Sequence, residues 1–128
     1  MTSEEVVAGS IILIDKPLTW SSFQAVNKLK YILKRKFDLP KKFKIGHAGT
    51  LDPMATGVLV LGVGHATRLL SFITDGSKTY LATIRLGSAT NTDDAQGEII
   101  SVAPHERLVA ITEIQIIQEL AKRTGEIL

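Results

Sequence analysis

The chain has 128 residues and a net charge of +2, with 45% hydrophobic and 22% charged residues. One domain is expected at this length, and the apolar content excludes intrinsic disorder. No apolar run approaches the roughly 18 residues of a membrane span, and the absence of cysteine excludes disulfide frameworks and thiolate zinc sites and fits a cytoplasmic protein.

Taken in chain order, Ile11-Ile12-Leu13-Ile14 is a β-branched apolar run stopped by Pro17, which predicts a buried strand. A helix is expected next. Ser21 and Gln24 have capping-box spacing, and Ala25, Val26, Leu29, Ile32 and Leu33 recur as one apolar stripe. Residues 37–44 read as a polar loop around Pro40. Between Lys28 and Lys44 eight basic residues, Lys41 among them, face only Asp38, so this segment carries +7 and the rest of the chain −5. Such asymmetry suits either an anionic partner or a solvated helix and loop. Aromatic residues, at 5%, are too few for a flat stacking platform.

Val58-Leu59-Val60-Leu61, between Gly57 and Gly62, predicts a second buried strand. Residues 66–73 suggest a short helix ended by Asp75-Gly76. From Lys78 to Leu86 the period becomes two, the clearest strand signal in the chain. Gly87–Gly97 reads as a polar loop and Glu98–Val102 as a strand. A last helix is expected from Thr112, capped by Gln115, with Ile114, Ile117, Leu120 and Ala121 as its stripe and Gly125 as its stop. No linker or low-complexity tract interrupts the chain.

The chemistry-bearing segment is Gly46-His47-Ala48-Gly49-Thr50-Leu51-Asp52-Pro53-Met54-Ala55-Thr56-Gly57. Three glycines and a proline forbid an ordinary helix. Asp52 precedes Pro53, which biases it to an extended backbone on a stiff loop. A carboxylate preorganised in this way suits nucleophilic or general-base chemistry. An Asp that only caps a turn would satisfy the same residue types. The segment lacks the P-loop pattern and its lysine. His47 and Asp52 have no third ligand at a metal-binding spacing, and no nucleophile elbow accompanies a Ser-His-Asp set.

This run, continued by Val58-Leu59, resembles the catalytic motif of TruB-type tRNA pseudouridine synthases, bacterial in form. Satellites stand in the expected order. Ile14-Asp15-Lys16-Pro17 and Trp20-Ser21-Ser22 lie upstream. Gly64-His65-Ala66-Thr67-Arg68-Leu69, Lys78-Thr79-Tyr80, Thr92-Asp93-Asp94 through Gly97, and Thr124-Gly125-Glu126-Ile127 lie downstream. Two departures stand out: Leu18-Thr19-Trp20 replaces a glycine-containing stretch common in the family, and His65 stands where a lysine is frequent.

The resemblance implies an α+β fold: a mixed, largely antiparallel sheet with flanking helices, the first half of the pseudouridine synthase fold. It implies isomerisation of uridine 55 in the tRNA T-loop to pseudouridine, with no metal or organic cofactor. Asp52 matches the essential aspartate. Tyr80 matches a tyrosine that stacks on the flipped uracil, although core packing would also explain it. His47 matches a histidine that contacts the RNA where the base has left the stack. Lys16, Lys78 and Thr50 complete the substrate-binding set, and the basic segment fits phosphate contacts along tRNA. Residues 1–128 are then the N-terminal portion of a catalytic domain whose second half and RNA-binding domain are absent. A chain of this kind is expected to have little activity alone, if any, beyond binding RNA. It is also expected to expose an apolar patch or sheet edge through which it self-associates.

Overall fold

The computed structural model describes residues 2–40 and 42–126. Lys41, Ile127 and Leu128 lie outside the described residues. The chain divides into two compact units, one ending at Thr79 and the other starting at Tyr80.

The first unit opens with a helix, α1 (Ser3–Ala8), whose capping box joins Thr2 and Glu5. Strand β1 (Ser10–Lys16) and helix α2 (Ser22–Phe37) follow. The predicted Ser21/Gln24 capping box is present, with Ser21 Oγ accepting from the Gln24 amide and Gln24 Oε1 accepting from the Ser21 amide. Asp38, in the left-handed conformation, ends the helix. Strands β2 (Ile45–Ala48) and β3 (Gly57–Val63) complete a sheet in the order β1-β3-β2. Both pairings are antiparallel, with Ile12 opposite Leu61 and His47 also opposite Leu61. A 3-10 turn (Gly64–Leu69) runs into the short helix α3 (Leu70–Thr74).

Burial follows the alternation of the strands. Leu59, Leu61 and Val63 point to the core, where Val6, Leu33, Leu39 and Phe43 meet Val63. Leu39 and Phe43 therefore correct the reading of residues 37–44 as a polar loop: its two large apolar side chains are core. Ile32, expected on the apolar stripe of α2, is exposed, while Ala25, Val26 and Leu33 of that stripe are buried. On the other face of the sheet Leu13 and Val58 remain 65% and 68% exposed.

The second unit holds a two-stranded antiparallel sheet, β4 (Ser88–Thr90) with β5 (Ile99–Val102), then α4 (His105–Val109) and α5 (Glu113–Ala121). Thr112 and Gln115 form the expected capping box. The stripe of α5 is exposed, and the helix ends at Lys122, so Gly125 is not its stop. The expected strand Lys78–Leu86 is absent. The segment has no ladder partner among the described residues and both of its faces are exposed. Alternating apolar residues permit a strand, but only backbone pairing makes one. The fold class is α+β with antiparallel sheets, and no helix among the described residues is long and apolar enough to cross a membrane.

Candidate active-site loop

The segment from Gly49 to Thr56 connects β2 to β3, the two strands whose pairing holds its ends. Hydrogen bonds then hold its backbone from several sides. Ser22, at the start of α2 and buried, donates from Oγ to the Leu51 carbonyl at 3.0 Å and accepts from the Leu51 amide at 2.9 Å. The Thr19 amide donates to the Pro53 carbonyl at 2.8 Å. The Ala55 amide donates to the Asp52 carbonyl at 3.0 Å, closing a turn with Pro53 at its favoured second position. The Gly57 amide donates to Asp15 Oδ1 at 3.0 Å. Gly57 has φ +112, a conformation L side chains rarely adopt.

Beneath the loop lies Lys16, the last residue of β1, at 0% exposure. Its Nζ donates to the carbonyls of Trp20 at 2.6 Å, Pro17 at 3.0 Å and Pro53 at 3.4 Å. A buried ammonium requires such partners, because it has three protons and no acceptor capacity. These bonds tie together residues 37 apart in sequence.

Asp52 sits between the two anchored residues, Leu51 and Pro53. It is exposed, and its carboxylate has no hydrogen bond or ion pair among the described residues. It does not cap the turn it begins. The arrangement holds the backbone on both sides of Asp52 and leaves its two oxygens available to a ligand, as a reactive carboxylate needs.

His47, on β2, is half-buried, and its Nδ1 donates to the Gly49 carbonyl. Because a carbonyl can only accept, the proton belongs on Nδ1. In the neutral ring this leaves the Nε2 lone pair as an acceptor. Thr50 is exposed on the same loop. Lys78 Nζ donates to the carbonyls of Thr74 and Gly76 and so serves the end of α3. Its stem runs beside the motif: a β-carbon on Gly49 would lie 3.8 Å from Lys78 Cε. Lys16 ends β1, His47 lies on β2 opposite Leu61, Thr50 and Asp52 lie on the loop between β2 and β3, and Lys78 follows α3, all in the first unit. Tyr80 is the first residue of the second unit, 63% exposed there. Within that unit Asp94 organises the 91–97 loop. Its Oδ1 accepts from the Thr92 hydroxyl at 2.7 Å, the Gln96 amide at 2.8 Å and the Gly97 amide at 3.2 Å. The Thr92 hydroxyl first, then the Gln96 amide, hold the Asp94 carboxyl below the usual aspartate range. No group of three or more His, Asp or Glu among the described residues is placed to hold a metal ion.

The anchors Ser22, Thr19 and Asp15 entered the sequence reading only within the motifs around the resemblance, with no anchoring role assigned to them. Ser22 offered one signal: Ser21 already caps α2, so a second serine beside it needs another partner. Thr19 has φ +69, in the region that favours glycine. The departure from the family's glycine-containing stretch therefore places a β-branched residue in a left-handed corner, at a cost of roughly 1–2 kcal/mol. Thr19→Gly is expected to stabilise the chain by up to about 1 kcal/mol, since glycine's extra unfolded-state entropy offsets part of that relief. A urea titration with a higher midpoint and an unchanged slope would bear this out.

Residues 33–128 match the family model described as TruB family pseudouridylate synthase (N terminal domain). The chain is 50% identical over 127 residues to "tRNA pseudouridine synthase B" of Flavobacterium johnsoniae, which covers 99% of this chain and 54% of the relative. Proteins of the same name from Leifsonia xyli subsp. xyli and an Arthrobacter species are 45% and 49% identical over 122 and 119 residues, covering 95% and 93% of this chain and 38% and 36% of their own lengths. The chain spans about half the length of the first relative and little more than a third of the other two. With the family model matched over most of its residues and Asp52 inside that match, the chain belongs to the TruB family of pseudouridylate synthases and carries the sequence of their N-terminal domain.

Proposed function

We propose that the chain supplies the catalytic aspartate and part of the RNA-binding surface of a tRNA pseudouridine synthase acting on uridine 55 of the T-loop in the cytoplasm. The observation that carries this reading is the Asp52 carboxylate, free of partners among the described residues, on a loop whose backbone is anchored on both sides. In the reaction the N1–C1′ bond breaks, the uracil turns within the site, and a C5–C1′ bond forms. The proton on C5 leaves to solvent and N1 takes one up, so atoms and electrons balance without a cofactor. Attack at C1′, attack on the base and removal of a ribose proton all require a carboxylate held against the sugar edge. A T-loop uridine reaches such a group only when flipped out of its stack. In this reading His47 occupies the space the base vacates, Tyr80 stacks on the flipped uracil, and Thr50 contacts the RNA beside Asp52. Lys16 acts from behind, through the carbonyls it holds at Pro17, Trp20 and Pro53, and Lys78 binds RNA beside Gly49 from the end of α3. Residues 1–128 form the N-terminal portion of the catalytic domain.

The basic segment supports the choice of RNA. Lys28, Lys34, Arg35, Lys36, Lys42 and Lys44 are exposed, and none has an ion-pair partner among the described residues. Phosphate contacts through about four of them would lower tRNA affinity on the order of a hundredfold between 50 and 200 mM salt. Filter binding across that range measures the slope, and a flat profile would remove this segment from the interface.

The test of the reaction is tritium release from tRNA labelled at C5 of uridine, with a transcript carrying cytidine at position 55 as control. Release that depends on uridine 55 supports the synthase reading. No release from tRNA that is nonetheless bound supports the second reading, an RNA-binding chain without catalysis, which the basic segment favours because it does not involve Asp52. The edge of β1 and the exposed Leu13 and Val58 support self-association, which light scattering should show as a mass above 13.9 kDa that rises with concentration.

A further inference from the structure

A concave site lies at the far end of β3 from Asp52. β3 begins at Gly57, beside the active-site loop, and ends at Val63, where the 3-10 turn starts. Six residue steps separate the ends by about 20 Å. There a cavity of about 220 Å³ opens between α1, the segment before β2, and the 3-10 turn. Val7 and Phe43 contribute apolar lining, while Lys42, Lys44, His65 and Arg68 contribute nitrogen donors. No Asp or Glu is among the described residues that line it. Lys42, Lys44 and Arg68 make no side-chain hydrogen bond or ion pair among the described residues. Lys30 Nζ stands 5.9 Å from the centroid of the Phe43 ring and adds a further positive charge.

The backbone builds this cavity closely. The Gly64 amide donates to the Lys44 carbonyl at 2.8 Å and joins two of its walls. Gly64 has φ +61, and a β-carbon there would stand 2.2 Å from the Val7 carbonyl oxygen, so only glycine lets α1 approach the 3-10 turn. Unneutralised cations over an apolar floor fit a ligand with the same two parts, an anionic group and a flat ring. The volume is below the roughly 300–1,000 Å³ of pockets that enclose drug-sized ligands, so the cavity holds part of a nucleotide-sized ligand and leaves the rest to solvent.

We infer that this cavity binds one 5′-phosphorylated nucleoside, its base on the Val7/Phe43 floor and its phosphate among Lys44, Arg68 and their basic neighbours. The unit comes either as a free nucleotide or as an unpaired residue of an RNA strand. The site shares Lys42 and Lys44 with the basic segment above but does not use Asp52, so it and the catalytic reading fail independently.

The test is an amide NMR titration of the full chain with AMP, adenosine, inorganic phosphate and a hexameric oligoadenylate. AMP is expected to shift the amides of Phe43 and of Gly64 to Arg68, and to bind at least about tenfold more tightly than phosphate, the scale of one stacked base. Adenosine should bind more weakly than AMP. The double variant Lys44→Gln/Arg68→Gln should weaken AMP at least tenfold. Lys28→Gln/Arg35→Gln, which removes the same charge from α2, should change it less than twofold. A hexamer that binds more tightly than AMP through the same amides identifies the RNA strand as the source; equal or weaker binding identifies the free nucleotide. Shifts elsewhere, no shifts, equal affinity for AMP and phosphate, or equal loss in the two double variants would each overturn the assignment.

Discussion

Asp52→Asn should reduce whatever pseudouridine formation the chain supports by up to about a thousandfold, to the assay background, and change tRNA affinity by less than twofold. Removing a group that acts covalently or as a base typically costs three to four orders of magnitude, and an amide of the same shape can perform neither role. The substitution separates chemistry from structure because the Asp52 side chain supports nothing else. It is exposed and has no partner among the described residues, so the thermal midpoint should not move. Tritium release, filter binding and calorimetry on one preparation make the comparison. Conversion at the wild-type rate would remove Asp52 from the mechanism, and a lowered midpoint would show that its role is partly structural.

The second large effect concerns Lys16. Lys16→Met keeps the apolar stem and deletes the ammonium. The Pro53 carbonyl retains the Thr19 amide, but the Trp20 carbonyl loses its 2.6 Å donor and the Pro17 carbonyl its 3.0 Å donor. Polar groups left unsatisfied in a buried setting cost about 1–3 kcal/mol each. The loss is therefore expected to be about 2–3 kcal/mol, after discounting for the charge that no longer has to be buried. Urea denaturation reads this directly. Turnover should fall in parallel, about a hundredfold for a displacement of 1 Å at the reacting group. A stable variant with full turnover would show that the carbonyls find water instead and that the loop stands without its anchor.

The Lys16 interactions were invisible in the sequence, and the reason is range. Capping boxes depend on residues three apart, so Ser21/Gln24 and Thr112/Gln115 were legible from local chemistry alone. Strands β1 and β3 were legible because short β-branched runs bounded by Pro or Gly have few alternatives. β2 was missed because Gly46 disguises its four residues, and β4 because Ser88–Thr90 is short and polar. The Lys78–Leu86 segment shows the opposite error: its alternation was sound, but no second strand among the described residues pairs with it. At the active-site loop the motif and Asp52 were readable. The anchors were not, since Ser22 meets Leu51 across 29 residues and Lys16 meets Pro53 across 37. Thr19 was readable as a departure from the family, but its strain became visible only with its backbone angle.

The anchoring of this loop also bears on where motion in catalysis must come from. Its hydrogen bonds lead into β1, the N-terminus of α2 and the start of β3, so it cannot open without loosening those elements. Local opening of so connected a segment lies toward the global end of the stability range rather than the fraying end. An active site closed by a mobile lid can move to meet its substrate. If the loop acts as proposed, its aspartate side is static, and the displacement that brings the sugar to the carboxylate falls to the nucleic acid. Selectivity at this loop then reads how easily a given uridine leaves its stack, a property of the RNA fold more than of the bases beside it.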